Sequence, residues 1–482
     1  MSDDVPGTKT KEELLAGFRP ALAITAAEVR QERGEGARQL VVLDDDPTGT
    51  QSVGDLPVLT DWGEDDLAWA LGTGASAVYV MTNSRSLAPE TAAQRNHEVA
   101  INALAAARGL GVEVDFVSRS DSTLRGHYPL EPDVLTEELA RTGASVDGVV
   151  IVPAFGDAGR ITVGSVHYAG SDTSGYVPVG DTEFARDASF GYRASDLRVW
   201  VEEKSEGRFR AADVVAITLD VVRTGPEAVA AVLSTLTGAR PAVIDVVEES
   251  DLRSLALGIL AAERAGKRFV HRVGPPFVRA MIGQDVLQPL TPADVAAIRE
   301  GGEGEHAEHG LIVVGSHVAL TTRQLESLRA RRAPTEVEID VAQVLGEGRG
   351  AHLDEIVSRV VADVAEGNVV VRTSRVLVTG TDADSSLDIA RTISDAVVEV
   401  VQRVLAVTAL RFVVAKGGIT SSDVASRGLA ISRAMVRGPM LPGIVSLWEP
   451  TEGPARGIPY IVFAGNVGTE ESLADVVDKL TA

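Results

Sequence analysis

Gln39-Leu40-Val41-Val42-Leu43-Asp44-Asp45-Asp46-Pro47-Thr48-Gly49 is the stretch on which the fold turns. Gln39–Leu43 is a short, nearly unbroken apolar run, followed by three aspartates and a turn set by Pro47 and Gly49. An apolar run without alternation suits a strand buried on both faces, as in a parallel sheet. Three carboxylates directly beyond such a strand are costly unless they are solvated, paired, or bound to a cation or a polyol. Ligands of open α/β sheets sit at the carboxyl ends of the strands. The stretch therefore predicts a parallel α/β sheet with its chemistry beyond the first strand.

Outward from this point, β-branched runs recur at Ala77–Met81, Val114–Val117, Gly148–Val152, Val214–Leu219 and Ala242–Val247. Helical periodicity separates them, as at Pro89–Arg108 and Glu227–Leu236. A second series runs through Leu311–Val314, Glu336–Asp340, Val369–Arg372, Phe412–Ala415 and Tyr460–Phe463, and Ala383 to about Leu405 has the clearest amphipathic helix pattern. Strands alternating with helices predict βαβ units and mostly parallel sheets. The glycine-rich, polar segment Gly301–His309 parts the two series. The expected fold class is α/β, with a polar, partly helical extension over 1–37 and α/β domains over 38–300 and 310–482. Each domain is expected to hold a mostly parallel sheet flanked by helices.

A chain of 482 residues is too long for one ordinary core. Its net charge of −24 argues against general nucleic-acid binding, which requires a basic face. An anionic ligand would have to be captured against that field by local arginines and backbone N–H groups. Cysteine is absent, which removes disulfides, thiolate metal sites and a cysteine nucleophile. No apolar run is long enough to span a bilayer, and Met1–Glu13 lacks a signal-type hydrophobic stretch. The expectation is a cytoplasmic protein, with a homodimer as the default assembly.

Two further strands of the first series also end in charged, polar loops. Ala77–Met81 leads into Thr82-Asn83-Ser84-Arg85-Ser86, and Val114–Val117 into Ser118-Arg119-Ser120-Asp121-Ser122-Thr123-Leu124-Arg125-Gly126-His127. Consecutive strand ends of this kind predict one shared pocket. Arg85, Arg119 and Arg125 suit a carboxylate, and the aspartates and serines suit hydroxyls. For any single aspartate a hydrogen-bonded Asx turn remains a competing assignment, and for His127 a structural role is as well supported as substrate contact.

The second series has three glycine turns at strand ends: Gly315-Ser316, Lys416-Gly417-Gly418-Ile419-Thr420 and Ala464-Gly465-Asn466-Val467-Gly468. Glycine allows close approach of backbone to a phosphate, and N–H groups at a helix start favour anions. Thr321-Thr322-Arg323-Gln324 is expected to cap a helix after the first turn. The second turn should open a helix running to about Met435, and the third the terminal helix. There is no GxxxxGK[ST] loop, HExxH or GxSxG motif, and Gly72-Thr73-Gly74-Ala75-Ser76-Ala77 precedes a strand, the wrong context for a dinucleotide fingerprint. His306 and His309, in the linker, are expected to be solvated.

In this order, Asp45-Asp46-Pro47-Thr48-Gly49, Arg119-Ser120-Asp121-Ser122-Thr123-Leu124-Arg125-Gly126, Gly315-Ser316 with Thr322-Arg323-Gln324, and Gly417-Gly418-Ile419-Thr420 make the chain resemble the four-carbon acid sugar kinases. These are the kinases of threonate, erythronate and 3-oxo-tetronate, once grouped as a domain of unknown function. The resemblance covers nearly all of the chain after Gln39. It implies a sugar-acid domain followed by an ATP domain, with the active site in the cleft between them. By that match Asp45, Asp46, Arg119, Asp121 and Arg125 would face the substrate, and Ser316, Gly417, Gly418, Ile419, Thr420 and Gly465 would line the nucleotide. From their places in the same strand-end loops, Arg85 and Ser122 are expected to join the substrate residues and Asn466 and Gly468 the nucleotide residues, and Asp46 or Asp121 is expected to act as catalytic base.

ATP and Mg2+ are the implied cofactors, and no side chain is assigned as a metal ligand. The chain departs from the family at Phe463-Ala464, where a lysine is frequent, and at Pro47 with Thr50-Gln51. Two other classes compete. A non-catalytic two-lobed sugar-acid sensor would have no use for phosphate cradles. An aldolase or isomerase acting on a phosphorylated sugar acid would consume no ATP.

Overall fold

The computed structural model describes residues 7–34, 36–300, 307–375, 378 and 383–482. Most of the glycine-rich segment, Gly301–Glu305 with His306, lies outside them. In chain order the strands are β1 (Gln39–Asp44), β2 (Leu56–Leu59), β3 (Ala77–Met81), β4 (Val114–Arg119), β5 (Gly148–Val152), β6 (Arg160–Val163), β7 (Val166–Ser171), β8 (Gly175–Pro178), β9 (Val215–Ile217), β10 (Arg240–Ile244) and β11 (Phe269–Val273). There follow β12 (Leu311–Val314), β13 (Thr335–Ile339), β14 (Val369–Thr373), β15 (Val413–Lys416), β16 (Arg433–Leu441), β17 (Ile444–Pro450) and β18 (Tyr460–Phe463). The chain divides into one unit of Met1–Gly49 with Trp62–Val286 and another of Thr50–Asp61 with Leu287–Ala482.

The first unit is built on a parallel sheet in the order β3-β1-β4-β11-β5-β10-β9. β1 pairs with β3 on one side and β4 on the other, and the chain leaves β1 toward β3 but leaves β4 the other way, toward β5. That is a topological switch point, and a crevice opens there beyond the strand ends. β1, β3, β4, β5 and β11 are buried along their whole length, which explains the unbroken apolar runs of β1, β3 and β5. The helix Pro89–Leu110 starts with proline in its first turn and stops at Gly111, φ 69°, as the helix-end preferences of these residues require. A small antiparallel sheet, β6-β7-β8, belongs to the same unit.

The strand β11 has no counterpart in the sequence analysis. His271 and Arg272 interrupt its apolar run, yet both are buried between β4 and β5. β9 is shorter than expected, because the chain turns helical again at Leu219.

The second unit has the order β13-β14-β12-β15-β18-β17-β16-β2. The pairs from β13 to β18 are parallel, and those from β18 through β17 and β16 to β2 are antiparallel. Its core gathers Ile312, Val314, Leu325, Leu328, Phe412, Phe463 and Val477. The amphipathic helix falls at Ala383–Leu405, as its pattern indicates.

The helix expected to reach Met435 ends much earlier. Gly418–Asp423 is helical, Val424–Gly428 forms one wider turn, and β16 then begins at Arg433. Ala434, Val436 and Gly438 are buried while Arg433, Met435 and Arg437 are half-buried. That two-residue period is the mark of a strand, and it overrides the helical reading. Among the described residues no helix is long and apolar enough to cross a membrane.

Thr50 fixes the early segment within the second unit. Its hydroxyl accepts from Trp448 Nε1 (2.9 Å) and donates to Ser446 Oγ (3.0 Å), all buried. Thr50→Val strands Trp448 Nε1 without water and leaves Ser446 Oγ only its 3.4 Å bond to the backbone carbonyl of residue 50, at a cost of about 1–3 kcal/mol. The expected result is a fall of roughly 2–12 °C in melting temperature by calorimetry, with secondary structure retained. An unchanged transition would show that these bonds do not hold the segment.

Candidate active site

The aspartates at the end of β1 are placed by a buried arginine. Asp44, the last residue of β1, is fully buried and ion-paired with Arg119, which is in register with it on β4. Arg119 also lies 3.5 Å from Asp45 and donates to the Asp46 carbonyl. Its guanidinium is thus committed to the three aspartates and is only 3% exposed. Gly49 closes over this pair, since a Cβ there would collide with Asp44 and Arg119.

Asp45 accepts a two-pronged pair of bonds from Arg85, Nε to Oδ2 at 3.0 Å and Nη2 to Oδ1 at 2.6 Å. Burial pushes the Asp45 carboxyl up, against the pull of Arg85. Asp46 is more open, 22% exposed. Its Oδ1 accepts from Thr48 N (3.0 Å) and Thr48 Oγ1 (2.6 Å), an Asx turn. Its Oδ2 lies 3.6 Å from Arg85 Nη1.

Asp121 Oδ2 accepts from Arg125 Nε at 2.6 Å and from Thr123 Oγ1. Burial would raise this carboxyl, but Arg85, Arg125 and the bonds from Thr123 and Arg125 hold it well below the usual carboxylate range. Ser122 is buried, and its carbonyl faces His167 Nε2 at 2.7 Å. His127 Nε2 meets the Ser84 and Leu87 carbonyls at 3.0 and 3.1 Å, which gives it a structural place under the Arg85 loop.

Two arginines of this neighbourhood escaped the sequence analysis. Arg272 of β11 is buried and donates to Ser118 Oγ (3.0 Å) and Glu131 Oε2 (2.6 Å). Gly126, at φ 116°, makes room for it and for Asp45, because a Cβ there would stand 2.9 Å from Arg272 Nη2. Arg160 opens β6 and, with Arg125, flanks the Phe184 ring at 5.6 and 5.4 Å. Its Nη1 donates to the Ala158 carbonyl, and among the described residues no carboxylate lies within ion-pair distance of it. It lines a cavity of about 480 Å³ with Ser171, Ser174, Thr182 and Glu183. No sequence motif marks Arg160, because its position depends on a hairpin folded back from a distant part of the chain.

In the second unit the three glycine turns converge. Gly315 N and Ser316 N both donate to the Lys416 carbonyl, at 3.2 Å each, and Gly417 N donates to the Phe463 carbonyl at 2.8 Å. Gly417 has φ 130°, and a Cβ there would stand 3.1 Å from Thr420 Oγ1 and 3.4 Å from Ser316. A Cβ on Gly465 would strike Ser316, so the first and last turns are in close contact. Gly418 is half-buried, whereas Ile419, Asn466 and Gly468 are exposed.

Thr321 and Gln324 do not cap a helix. The helix Ala319–Arg332 starts earlier, after Val318 and without a side-chain cap. Both residues lie inside it and clasp the last turn instead. Thr321 Oγ1 donates to the Gly465 carbonyl (3.0 Å), and Gln324 Nε2 to those of Val467 (3.1 Å) and Thr469 (2.8 Å). That clasp takes the turn's carbonyls, so the terminal helix begins only at Ser472. Beside the first turn, Arg375 donates to the Ser316 carbonyl and to Thr322 Oγ1 (2.6 Å), and it lines a cavity of about 520 Å³ with Glu338, Asp340, Arg372 and Ser374. A phosphate cradle without side chains at its glycines fits this arrangement. Among the described residues no three histidine or acidic side chains form a cation cage.

Residues 40–281 match the family model described as a sugar-binding N-terminal domain, and residues 311–473 the one described as a nucleotide-binding C-terminal domain. The chain belongs to the four-carbon acid sugar kinase family. Within this kinase family it is 27% identical over 463 residues to a protein of Heliobacterium modesticaldum named D-erythronate kinase, covering 92% of this chain and 97% of that one. It is 28% identical over 283 residues to a Cupriavidus necator protein named D-threonate kinase, 58% of this chain and 59% of the relative. Solved structures agree in fold. One from Salmonella typhimurium LT2 has a TM-score of 0.66 at 18% identity, over 91% of this chain and 98% of that one. A Haemophilus influenzae protein of the DUF1537 family has a TM-score of 0.60 at 18% identity, over 91% and 99%.

Proposed function

We infer that the protein is an ATP-dependent kinase that phosphorylates a hydroxyl of a small sugar acid, with the four-carbon acids threonate, erythronate and 3-oxo-tetronate as candidates. The observation that carries this inference is the presence in one chain of two different strand-end sites. One is an arginine–aspartate cluster suited to a polyhydroxy acid, and the other a cradle of three converging glycine turns. The names of the two curated relatives support it. A sensor gains nothing from such a cradle, an aldolase of the Schiff-base type would need a lysine in the arginine cluster, and the metal-dependent type a cluster of histidine ligands, neither of which occurs among the described residues.

Arg160, with Arg125 across the Phe184 ring, is the best-placed cation for the substrate carboxylate, since among the described residues no carboxylate lies within ion-pair distance of it. Arg119 supports the aspartates from behind instead. Asp46 presents an oxygen free of hydrogen bonds and accepts the proton of the attacking hydroxyl. Asp121, held ionised by two arginines, is the weaker base and orients the substrate.

In the second unit Ser316, Gly417 to Thr420 and Gly465 line the phosphates, and the cavity beside Arg375 takes the nucleoside, with Glu338 and Asp340 as acceptors for ribose hydroxyls. ATP supplies the phosphoryl group. Magnesium would be held mainly by phosphate oxygens and water, as is usual where protein carboxylates are few. Phosphoryl transfer asks chiefly for positioning and charge neutralisation, which these residues provide.

The test is coupled ADP release with ATP and magnesium across D- and L-threonate, D- and L-erythronate and 3-oxo acids, with five- and six-carbon acids as controls. Strong turnover on one member is expected. ADP binding without turnover on any acid would move the substrate elsewhere, and no nucleotide binding at all would favour the sensor.

A further inference from the structure

Lys416 closes β15 with its side chain entirely out of solvent. Its Nζ donates a single hydrogen bond, 2.7 Å, to the Ala464 carbonyl and stands 3.7 Å from the centre of the Phe463 ring. An ammonium has three N–H donors, and beyond the Ala464 carbonyl and the Phe463 ring face none finds an acceptor among the described residues. The strands on either side face it with Val314 and Phe463, and the turns with Ser316, Gly417 and Gly465. Charged and titratable side chains of the surrounding elements are engaged elsewhere. Asp423 accepts from Ser394, Arg375 holds the Ser316 carbonyl and Thr322, and Arg323 pairs with Glu470. His317, beside Ser316, is itself kept from protonation by burial and by Arg375. Among the described residues no carboxylate reaches Lys416, and burial alone acts on it.

A sealed cation with no counter-charge is unfavourable by several kcal/mol, and such a group sheds its proton instead. We propose that Lys416 is the charge partner of the phosphates held at the three glycine turns, neutral while they are empty and protonated from solvent as a nucleotide binds. The inference rests on the nucleotide-binding reading of the second unit. The proton goes from bulk buffer to the Nζ lone pair, and no covalent bond changes. Direct contact is not required, because two charges separated by one layer of backbone attract strongly in a low-dielectric setting.

Burial brings the free lysine down to about 7, and an adjacent anion raises it again. Between those two values the complex binds more protons than the free protein. Nucleotide affinity is therefore highest below about pH 7 and falls as pH rises above it, by at most about tenfold per pH unit.

Titration calorimetry of the full-length protein with ADP tests this, in two buffers of different ionisation enthalpy at about pH 8. At that pH the terminal phosphate, with its second pKa near about 6, is already ionised. The wild type should take up most of a proton. Lys416→Met should take up none and bind ADP about tenfold more weakly at about pH 7, with a dissociation constant that no longer varies with pH. Lys416→Arg, charged throughout, should bind ADP without uptake, which separates charge from packing should the methionine variant fold poorly. ADP bound by the wild type with no proton uptake, or uptake undiminished in both variants, overturns the proposal. Absence of ADP binding at any pH is a different result: it removes the nucleotide reading and the role of Lys416 with it.

Discussion

Arg119→Met is expected to lose about 3–5 kcal/mol of stability, the usual cost of removing one partner from a buried ion pair. Asp44 is wholly buried and Asp45 1% exposed, so the variant strands charge that neither water nor another arginine fully compensates. At the scaling for domains of this size the transition of the first unit should fall roughly 6–20 °C. The deficit depends on pH in a definite direction. Burial already holds Asp45 above its unfolded value, and losing Arg119 raises it further. Between the unfolded and folded values the native state then binds the extra proton, so stability drops as pH rises. The variant should be closer to wild type at about pH 5 than at about pH 8. Arg119→Met combined with Asp44→Asn should recover part of the loss, because the second change removes a stranded charge. A single variant as stable as wild type would show that the cluster is not held together by this arginine.

Asp46→Asn is expected to lower kcat by about 10²–10⁴-fold while the KM for the sugar acid moves much less, since a general base acts in the transition state. The amide keeps the size of the side chain and an oxygen that Thr48 can bond, so the Asx turn survives. Asp121→Asn should show the opposite split. Asp121 is held ionised by Arg85 and Arg125, and its neutral replacement loosens Arg125 beside Phe184. Its effect should fall mainly on KM. If Asp46→Asn turns over normally and Asp121→Asn does not, the roles are reversed. If both turn over normally, neither is the base.

Much of the fold was legible from runs of side chains that face one environment. β1, β3, β4, β5, β12, β15 and β18 are buried on both faces, so their sequences are nearly pure apolar runs and their ends are abrupt. The polar clusters beyond them were legible for the same reason, because charge beside a buried strand must have a purpose. Thr321 and Gln324 were visible but misassigned. Their spacing fits a capping box, yet they reach a turn more than a hundred residues away. Arg160 and Arg272 carried no signal of their own, and Lys416 was marked by its place ahead of the second glycine turn but not by its burial. Whether such a residue is solvated, paired or sealed in depends on distant partners, and spacing along the chain carries no trace of them.

The sequence by itself determined the α/β class, the strand ends that carry charge, and the glycine turns, since each depends on local hydrophobicity and backbone freedom. The tertiary structure alone decided that Thr50–Asp61 pairs with the second sheet, through β2 against β16. It also decided that Arg119 is a strut, and that among the described residues Arg160 has no carboxylate within ion-pair distance and Lys416 is buried without a counter-charge. These are properties of pairs far apart in the chain, and an ion's energy is set by what surrounds it in space.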